Sequence, residues 1–156
     1  MEIRYYHLEQ ASLESVLPVM LERCLERGSR AIVRARSTDR VEQLADHLWT
    51  FAERSFLPHG SAADGHAAQQ PIWLTDQEEN PNGAAVLFLT DGAEAASLEG
   101  FELVCRIFDG RDQEAVAAAR AAWKREMEGG RHLTYWKQTD RGWRQAAQKN
   151  APGAEA

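Results

Sequence analysis

The segment that most constrains the fold is Phe101–Lys137, which has the pattern strand, turn, helix, stop and strand. Its first strand ends at Asp109–Gly110, a pair typical of tight turns. A helix is predicted from Asp112 onward, and Gly129–Gly130 is predicted to end it. A helix that connects two strands favours parallel pairing, because the chain must return to the other end of the sheet.

Strand and helix patterns alternate along the rest of the chain. The predicted strands are Glu2–Leu8, Arg30–Ala35, Pro71–Thr75, Ala84–Thr90, Glu102–Phe108 and Arg131–Gln138. The predicted helices contain Leu13–Leu25, Val41–Ala52 and Asp112–Glu128. Ala84–Thr90 is an almost continuous apolar run, typical of a strand covered on both faces. The sequence therefore predicts an α/β fold, a three-layer α/β/α sandwich with a Rossmann-like, mostly parallel sheet.

The chain is predicted to form one domain over residues 1–144, followed by a polar tail, residues 145–156, that is expected to fray. Residues 55–60 contain turn-forming residues and residues 61–70 show no pattern, so a loop is expected there. Ser12 or Ser15 can cap the first helix. Ser15 is preferred, since it places Pro18 in the first turn, where its missing N–H costs little.

The charge is unevenly distributed along the chain. The net charge is −6, which argues against a general nucleic-acid binder. Residues 1–110 contain 9 basic and 18 acidic residues, whereas residues 111–149 contain 9 basic and 5 acidic residues. A basic region on an acidic protein favours an acidic protein partner.

Two cysteines, Cys24 and Cys105, fall within apolar patterns and are predicted to be buried, reduced thiols. No apolar run approaches the ~20 residues of a membrane span. The first ten residues lack the pattern of a secretory signal. The expected localisation is therefore cytoplasmic, without membrane association.

No motif for catalysis, a cofactor or a metal is recognisable. The first predicted strand is not followed by a glycine-rich phosphate loop, so the sheet is expected to lack a nucleotide site. His59, Asp64 and His66 lie in a small-residue loop and are interpreted as solvated rather than as metal ligands. A small nucleotide-binding enzyme, degenerate or active, stays open as an alternative.

The helix from Asp112 carries a cationic and aromatic face. Val116, Arg120 and Trp123 fall on one side at ~100° per residue, and Lys124 lies beside them. Arg120 could hold a chain-terminal carboxylate while Phe108 and Trp123 hold an aromatic ring. The residues of this predicted site are Phe108, Arg111, Val116, Arg120, Trp123 and Lys124.

Two other interpretations of this region stay open. The pattern alone favours Val116 and Trp123 as core residues, with Arg120 as a solvated charge. Alternatively, the basic third of the chain could bind single-stranded DNA directly, with bases stacked on Trp123, Tyr135 and Trp136.

A second constellation consists of aromatic residues at the end of a helix and in the following loop. Its members are Trp49, Phe51, Phe56 and Pro58. If exposed, they would form the anchor of a protein–protein interface. If buried, they would form a small satellite core.

Five segments together resemble a known family. They are LWTF…SFLPHG (48–60), QPIWLT (70–75), NPNGAAVLFLTDG (80–92), IFDGRDQEAVAAARAAWK (107–124) and LTYW (133–136). In order and spacing, they resemble the chi subunit of bacterial DNA polymerase III holoenzyme. The resemblance covers about residues 1–144.

The resemblance implies a non-catalytic adaptor with an α/β fold that has lost its nucleotide site. Members of the family pair with the psi subunit of the clamp loader complex. They also bind the acidic C-terminal tail of single-stranded DNA-binding protein, which ends in Pro-Phe, and so tie the replicase to the coated template during DNA replication. Some members partner a repair helicase as well.

Residue by residue, the resemblance assigns Trp49 and Phe56 to psi binding and Arg120 to tail binding. Trp123 stands where the family commonly has tyrosine, which keeps the ring and loses the hydroxyl. Phe108 matches an apolar residue at the end of the preceding strand. A family lysine near the start of this helix has no clear counterpart, and Lys124 or Arg111 could replace it.

Overall fold

The computed structural model describes residues 1–51 and 57–152, which form one eight-stranded sheet and three α-helices. The strands are β1 Glu2–Leu8, β2 Ala31–Arg34, β3 His59–Ser61, β4 Ile72–Thr75, β5 Val86–Thr90, β6 Leu103–Asp109, β7 His132–Thr139 and β8 Gly142–Lys149. The helices are α1 Leu13–Glu26, α2 Thr38–Phe51 and α3 Gln113–Glu128, with a 3-10 turn at Ala67–Gln69.

The sheet order is β3-β4-β2-β5-β6-β1-β7-β8. Every neighbouring pair is parallel except β7 and β8, which form an antiparallel hairpin. Helices that connect the strands place the chain on both faces of such a sheet. The predicted α/β sandwich with a mostly parallel sheet is therefore confirmed.

Two apolar clusters fill the space between the sheet and its helices. One contains Leu17 and Leu21 of α1 and Leu44 and Leu48 of α2, and the other contains Ala119 and Ala122 of α3. All five residues of β5 are buried, because its side chains alternate between these clusters. The sequence prediction of a strand covered on both faces is thus confirmed.

The hairpin strand β8 corrects the sequence interpretation of the tail. Residues 145–149 were predicted to fray, but they lie in β8 and pair with β7 from Trp136 back to Leu133. Only Trp143 of β8 is partly buried. The strand pairs with β7 through backbone hydrogen bonds, and these do not require a pattern of apolar residues in the sequence. The domain limit at residue 144 stays a prediction.

Two local predictions were also wrong. Ser12 is the N-cap of α1, where its hydroxyl accepts the N–H of Ser15 at 3.3 Å, and Pro18 consequently lies inside the helix. The predicted loop at residues 55–60 contains the start of β3. Gly60 lies at its centre, where a Cβ would stand 2.6 Å from the side chain of Gln70. A strand of three residues built around a glycine gives almost no pattern.

No helix among the described residues is both long and apolar enough to cross a membrane.

Candidate functional site

The α3 helix runs from the carboxyl end of β6 back to the start of β7, and it contacts β6, β1 and β7 on the way. Asp112 caps it by accepting the N–H groups of Glu114 at 3.0 Å and Ala115 at 3.4 Å. Ala119, Ala122 and Glu126 form its buried stripe. The face predicted from the sequence is therefore the margin of the helix, where side chains reach both the sheet and solvent.

The predicted residues differ in exposure along this margin. Phe108 is buried at the end of β6, and Val116 and Trp123 are half-buried. Arg120 and Lys124 are exposed. Trp123 is therefore not sealed in the core, and Arg120 lies one turn from it on the same margin.

Trp123 belongs to an aromatic cluster that we define as Tyr5, His7, Phe108, Trp123 and Tyr135. The ring of Trp123 lies 5.1 Å from Tyr5 and 5.7 Å from Tyr135, in edge-to-face geometry. Tyr135 in turn lies 6.0 Å from Phe108. Such edge-to-face contacts fix ring orientation. The inner end of the aromatic cluster is Tyr5, which is fully buried, and its outer end is formed by Trp123 and Tyr135.

His7, at the end of β1, connects the aromatic cluster to the loop that follows this strand. Its Nδ1 lies 2.7 Å from the hydroxyl of Tyr135, and its Nε2 lies 3.1 Å from a carboxylate oxygen of Glu9. Burial raises the pKa of Tyr135, so its hydroxyl stays protonated, and it donates to Nδ1 in the tautomer whose Nε2–H faces Glu9. Gly110 permits this packing, because a Cβ there would stand 1.9 Å from the His7 ring.

Arg120 acts on the outer end of this cluster. Its charge opposes the effect of burial on the pKa of Tyr135 and contributes to the lowered pKa of His7. Within residues 1–51 and 57–152, Arg120 and Lys124 have no hydrogen-bond or ion-pair partner. Two uncommitted cations therefore border two half-exposed aromatic rings.

Arg111 has a different environment. Its Nε lies 2.9 Å from the carboxylate of Asp109, and its terminal nitrogens donate to the carbonyls of Gln10 at 3.3 Å and Ala11 at 3.4 Å. These contacts hold the loop after β1 against the end of β6. Of the two predicted substitutes for the family lysine, Lys124 is the one whose charge is available.

The residues of this site form an open surface rather than the wall of an enclosed pocket. A cavity of about 60 Å³ adjoins Phe108, but Ala115, Ala118 and Ala119 line it on the other flank of α3. Arg120 and Trp123 are not part of its wall. The half-buried side chains of Val116 and Trp123 therefore lie outside this cavity.

Sequence reasoning missed Tyr5, His7 and the role of Tyr135 in this site. Alternation along β1 puts Tyr5 and His7 on one face, which is visible in the sequence. Their contact with Tyr135 depends on β1 lying between β6 and β7, and no local pattern indicates that order.

The three rings proposed for stacking single-stranded DNA do not share a surface. Tyr135 packs with the α3 side of the sheet, whereas Trp136 packs with the α1 side and donates its indole N–H to Thr134 at 2.9 Å. Consecutive residues of a strand point to opposite faces. Trp123 and Trp136 are therefore separated by the sheet.

The loop after β1 is where a nucleotide-binding sheet holds phosphate. Here the N–H groups of Glu9, Gln10 and Ala11 all donate to the side-chain oxygen of Gln138, at 3.0, 3.0 and 3.1 Å. A phosphate would have to displace this amide before it could bind the same groups.

The second predicted constellation is only partly described. Trp49 is 48% exposed, and its ring lies 4.2 Å from the ring of His59. The interpretation of His59 as solvated was wrong, because it is buried, with its ring nitrogens 2.6 Å and 3.0 Å from the carbonyls of Leu57 and Ala45. Pro58 is half-buried. The side chain of Phe51 and all of Phe56 lie outside the described residues.

The two cysteines line another cavity, of about 320 Å³, between α1 and strands β1, β5 and β6. Both are free thiols. Burial raises the pKa of Cys24 to about 11 and that of Cys105 to about 12, so both stay protonated at neutral pH. Among the described residues, no group of three potential metal ligands occurs.

The fold and the site define a Rossmann-like α/β domain with an exposed cationic and aromatic margin beside α3. The chain belongs to the DNA polymerase III chi subunit family, whose members are accessory subunits of that polymerase: the family model described as "DNA polymerase III chi subunit, HolC" matches residues 1–134.

A relative called "Probable DNA polymerase III subunit chi", from Rickettsia prowazekii (strain Madrid E), is 28% identical over 103 residues. The aligned region is 66% of this chain and 62% of the relative. The chain thus spans about 62% of that relative's length.

Burial of His7 predicts a pH dependence of stability. Burial lowers the pKa of His7 below its ordinary value of 6.5. The unfolded chain therefore binds a proton more readily, and the stabilisation is complete above pH 6.5 and is lost as the pH falls through the folded value. The charged groups facing His7 are Glu9, Asp109, Arg120 and Lys137.

We expect the thermal midpoint to decrease as the pH is lowered from 7.5 to 5.5, because burial disfavours the protonated form of His7 in the folded protein. Thermal unfolding followed by circular dichroism measures this, with His7→Gln as the comparison. The same pH dependence in both proteins would assign the effect to other groups.

Proposed function

We propose that this protein is a non-catalytic adaptor of DNA polymerase III that joins the psi subunit to the acidic C-terminal tail of single-stranded DNA-binding protein. The observation that carries the proposal is the pair of uncommitted cations, Arg120 and Lys124, beside the half-exposed ring of Trp123. We define Val116, Arg120, Trp123, Lys124 and Tyr135 as the tail surface.

The chemistry of the tail surface suits a chain that ends in an aromatic residue. The guanidinium of Arg120 can donate two parallel hydrogen bonds to the terminal carboxylate. The terminal ring can pack on Trp123 and Val116 at the same time. Lys124, the residue after Trp123 on α3, can form an ion pair with an acidic residue that precedes the last residue of the bound peptide.

The psi subunit is assigned to the surface around Trp49, together with Phe51, Phe56 and Pro58. An exposed tryptophan supported by a buried histidine is a rigid apolar anchor, and such anchors dominate the energy of many interfaces. Trp49 lies on α2, which packs against one face of the sheet, whereas Trp123 lies on α3, which packs against the opposite face. Both partners could therefore bind one molecule at once.

A bridging assay tests the proposal. With the psi subunit immobilised, we expect a labelled tail peptide to be retained only when this protein is added. Amidation of the peptide's terminal carboxylate should weaken binding by roughly 10-fold or more, because a charge-assisted hydrogen bond contributes about 1.5–3 kcal/mol.

The Trp49→Ala variant separates the two surfaces. It should lose capture by the psi subunit and keep the affinity for the tail peptide in solution. Equal binding of the free-acid and amidated peptides would show that the chain end is not recognised, and the proposed function would then be wrong.

A further inference from the structure

Two basic residues continue the tail surface onto the β7–β8 hairpin. Lys137 of β7 is in register with His7 of β1 on one side and with Arg144 of β8 on the other. Residues paired across strands share a face of the sheet. Because His7 and Tyr135 lie on the face that α3 covers, Lys137 and Arg144 lie on it too.

We define Lys137 and Arg144 as the hairpin ledge. Neither residue has a hydrogen-bond or ion-pair partner in the described part of the chain. Like charges directly opposite each other destabilise a strand pair. The acidic groups nearby are Glu9, which contacts His7, and Asp140 at the turn of the hairpin. Among the described residues no carboxylate pairs with either cation, so both are able to contact a bound anion.

The hairpin ledge is continuous with the tail surface. The charges of both Arg120 and Lys137 act on His7, whose Nδ1 lies 2.7 Å from the hydroxyl of Tyr135. Strands lie about 4.8 Å apart, so the row from His7 to Arg144 spans about 10 Å. An extended peptide covers that distance with about three residues.

We propose that the hairpin ledge binds the acidic residues that precede the bound end of the tail. This inference rests on the proposed function, since it concerns the same peptide. The extended acidic segment crosses from α3 over β7 to β8, with its carboxylates at Lys137 and Arg144. The family model ends at residue 134, before both residues of the ledge.

The test compares two tail peptides on the wild type and on the double variant Lys137→Gln/Arg144→Gln. One peptide has its natural acidic residues, and the other has them replaced by their amides but keeps the last two residues. We expect the double variant to bind the acidic peptide roughly three- to tenfold more weakly at low salt, as two exposed ion pairs allow. Its affinity for the neutral peptide should be unchanged, and its salt dependence should be shallower.

The matched control is Arg23→Gln/Arg27→Gln, which removes the same charge from exposed positions at the end of α1. It should bind both peptides as the wild type does. An equal loss in the two double variants would mean that net charge alone is responsible, and the ledge would be rejected.

The outcomes separate this inference from the proposed function. If binding depends on Arg120 but the ledge variant keeps the wild-type ratio between the two peptides, the ledge is wrong and the tail surface stands. If the wild-type protein binds neither peptide, the proposed function and the ledge are both wrong. Thermal unfolding of each variant verifies that it is folded.

Discussion

Replacing Arg120 by alanine is expected to lower the affinity for the tail peptide by roughly 10- to 150-fold, because the charge-assisted contact with the terminal carboxylate is lost. The stability of the fold should hardly change, since Arg120 is exposed and has no ion-pair partner among the described residues. Calorimetric titration of the variant with the free-acid peptide measures the effect.

The comparison variant is Arg125→Ala, on the same helix. Arg125 is exposed too, but it lies on the other side of α3, 3.6 Å from the carboxylate of Glu94. Removing it changes the net charge by the same amount without touching the tail surface. A similar loss of affinity in both variants would indicate long-range attraction and would reject the contact at Arg120.

The amidated peptide gives a second check on the same contact. If Arg120 binds the terminal carboxylate, amidation and Arg120→Ala remove the same interaction, and their effects should not add. Fully additive losses would place the carboxylate elsewhere on the protein.

The fold was largely predictable because its elements carry strong side-chain patterns. The β5 strand is an apolar run between two helix layers, and α3 has a cap and a glycine stop. The β8 strand carries neither signal, since seven of its eight residues are exposed. Apart from Trp143, whose ring packs against Tyr6 at 5.0 Å, its position depends on backbone pairing with β7, and side-chain patterns do not report such pairing.

The site was predictable as a helix face but not as an assembled surface. Helical spacing places Val116, Arg120 and Trp123 together whatever surrounds them. Arg111, by contrast, donates hydrogen bonds to the carbonyls of Gln10 and Ala11, which lie about 100 positions away in the chain. Contacts at that separation follow from the order of strands in the sheet, which local sequence does not contain.

The largest effect on stability is expected at Glu126, a buried carboxylate that fixes α3 to the sheet. It accepts the hydroxyl hydrogen of Tyr5 at 2.9 Å and pairs with the guanidinium of Arg106. Arg106 is also buried, and Glu94 is its only other ion-pair partner among the described residues, at 2.7 Å. Removing one member of a buried pair leaves its partner incompletely compensated.

We expect Glu126→Ala to lower the free energy of unfolding by about 3 kcal/mol, at the lower end of the range for buried pairs because Glu94 still compensates Arg106. For a chain of this size the thermal midpoint should fall by about 6–12 °C. Urea and thermal unfolding measure both quantities. Glu128→Ala, an exposed change on the same helix, should shift the midpoint only slightly.

The same substitution connects stability to the tail surface. Tyr5 loses its partner in Glu126→Ala, and its ring is what Trp123 packs against at 5.1 Å. Tail affinity should therefore fall even at temperatures where the variant is folded, whereas Glu126→Gln, which can still accept from Tyr5, should retain more of it. If Glu126→Ala unfolds within 1 °C of the wild type, the pair with Arg106 is not what holds α3, and the orientation of Trp123 must depend on Tyr135 instead.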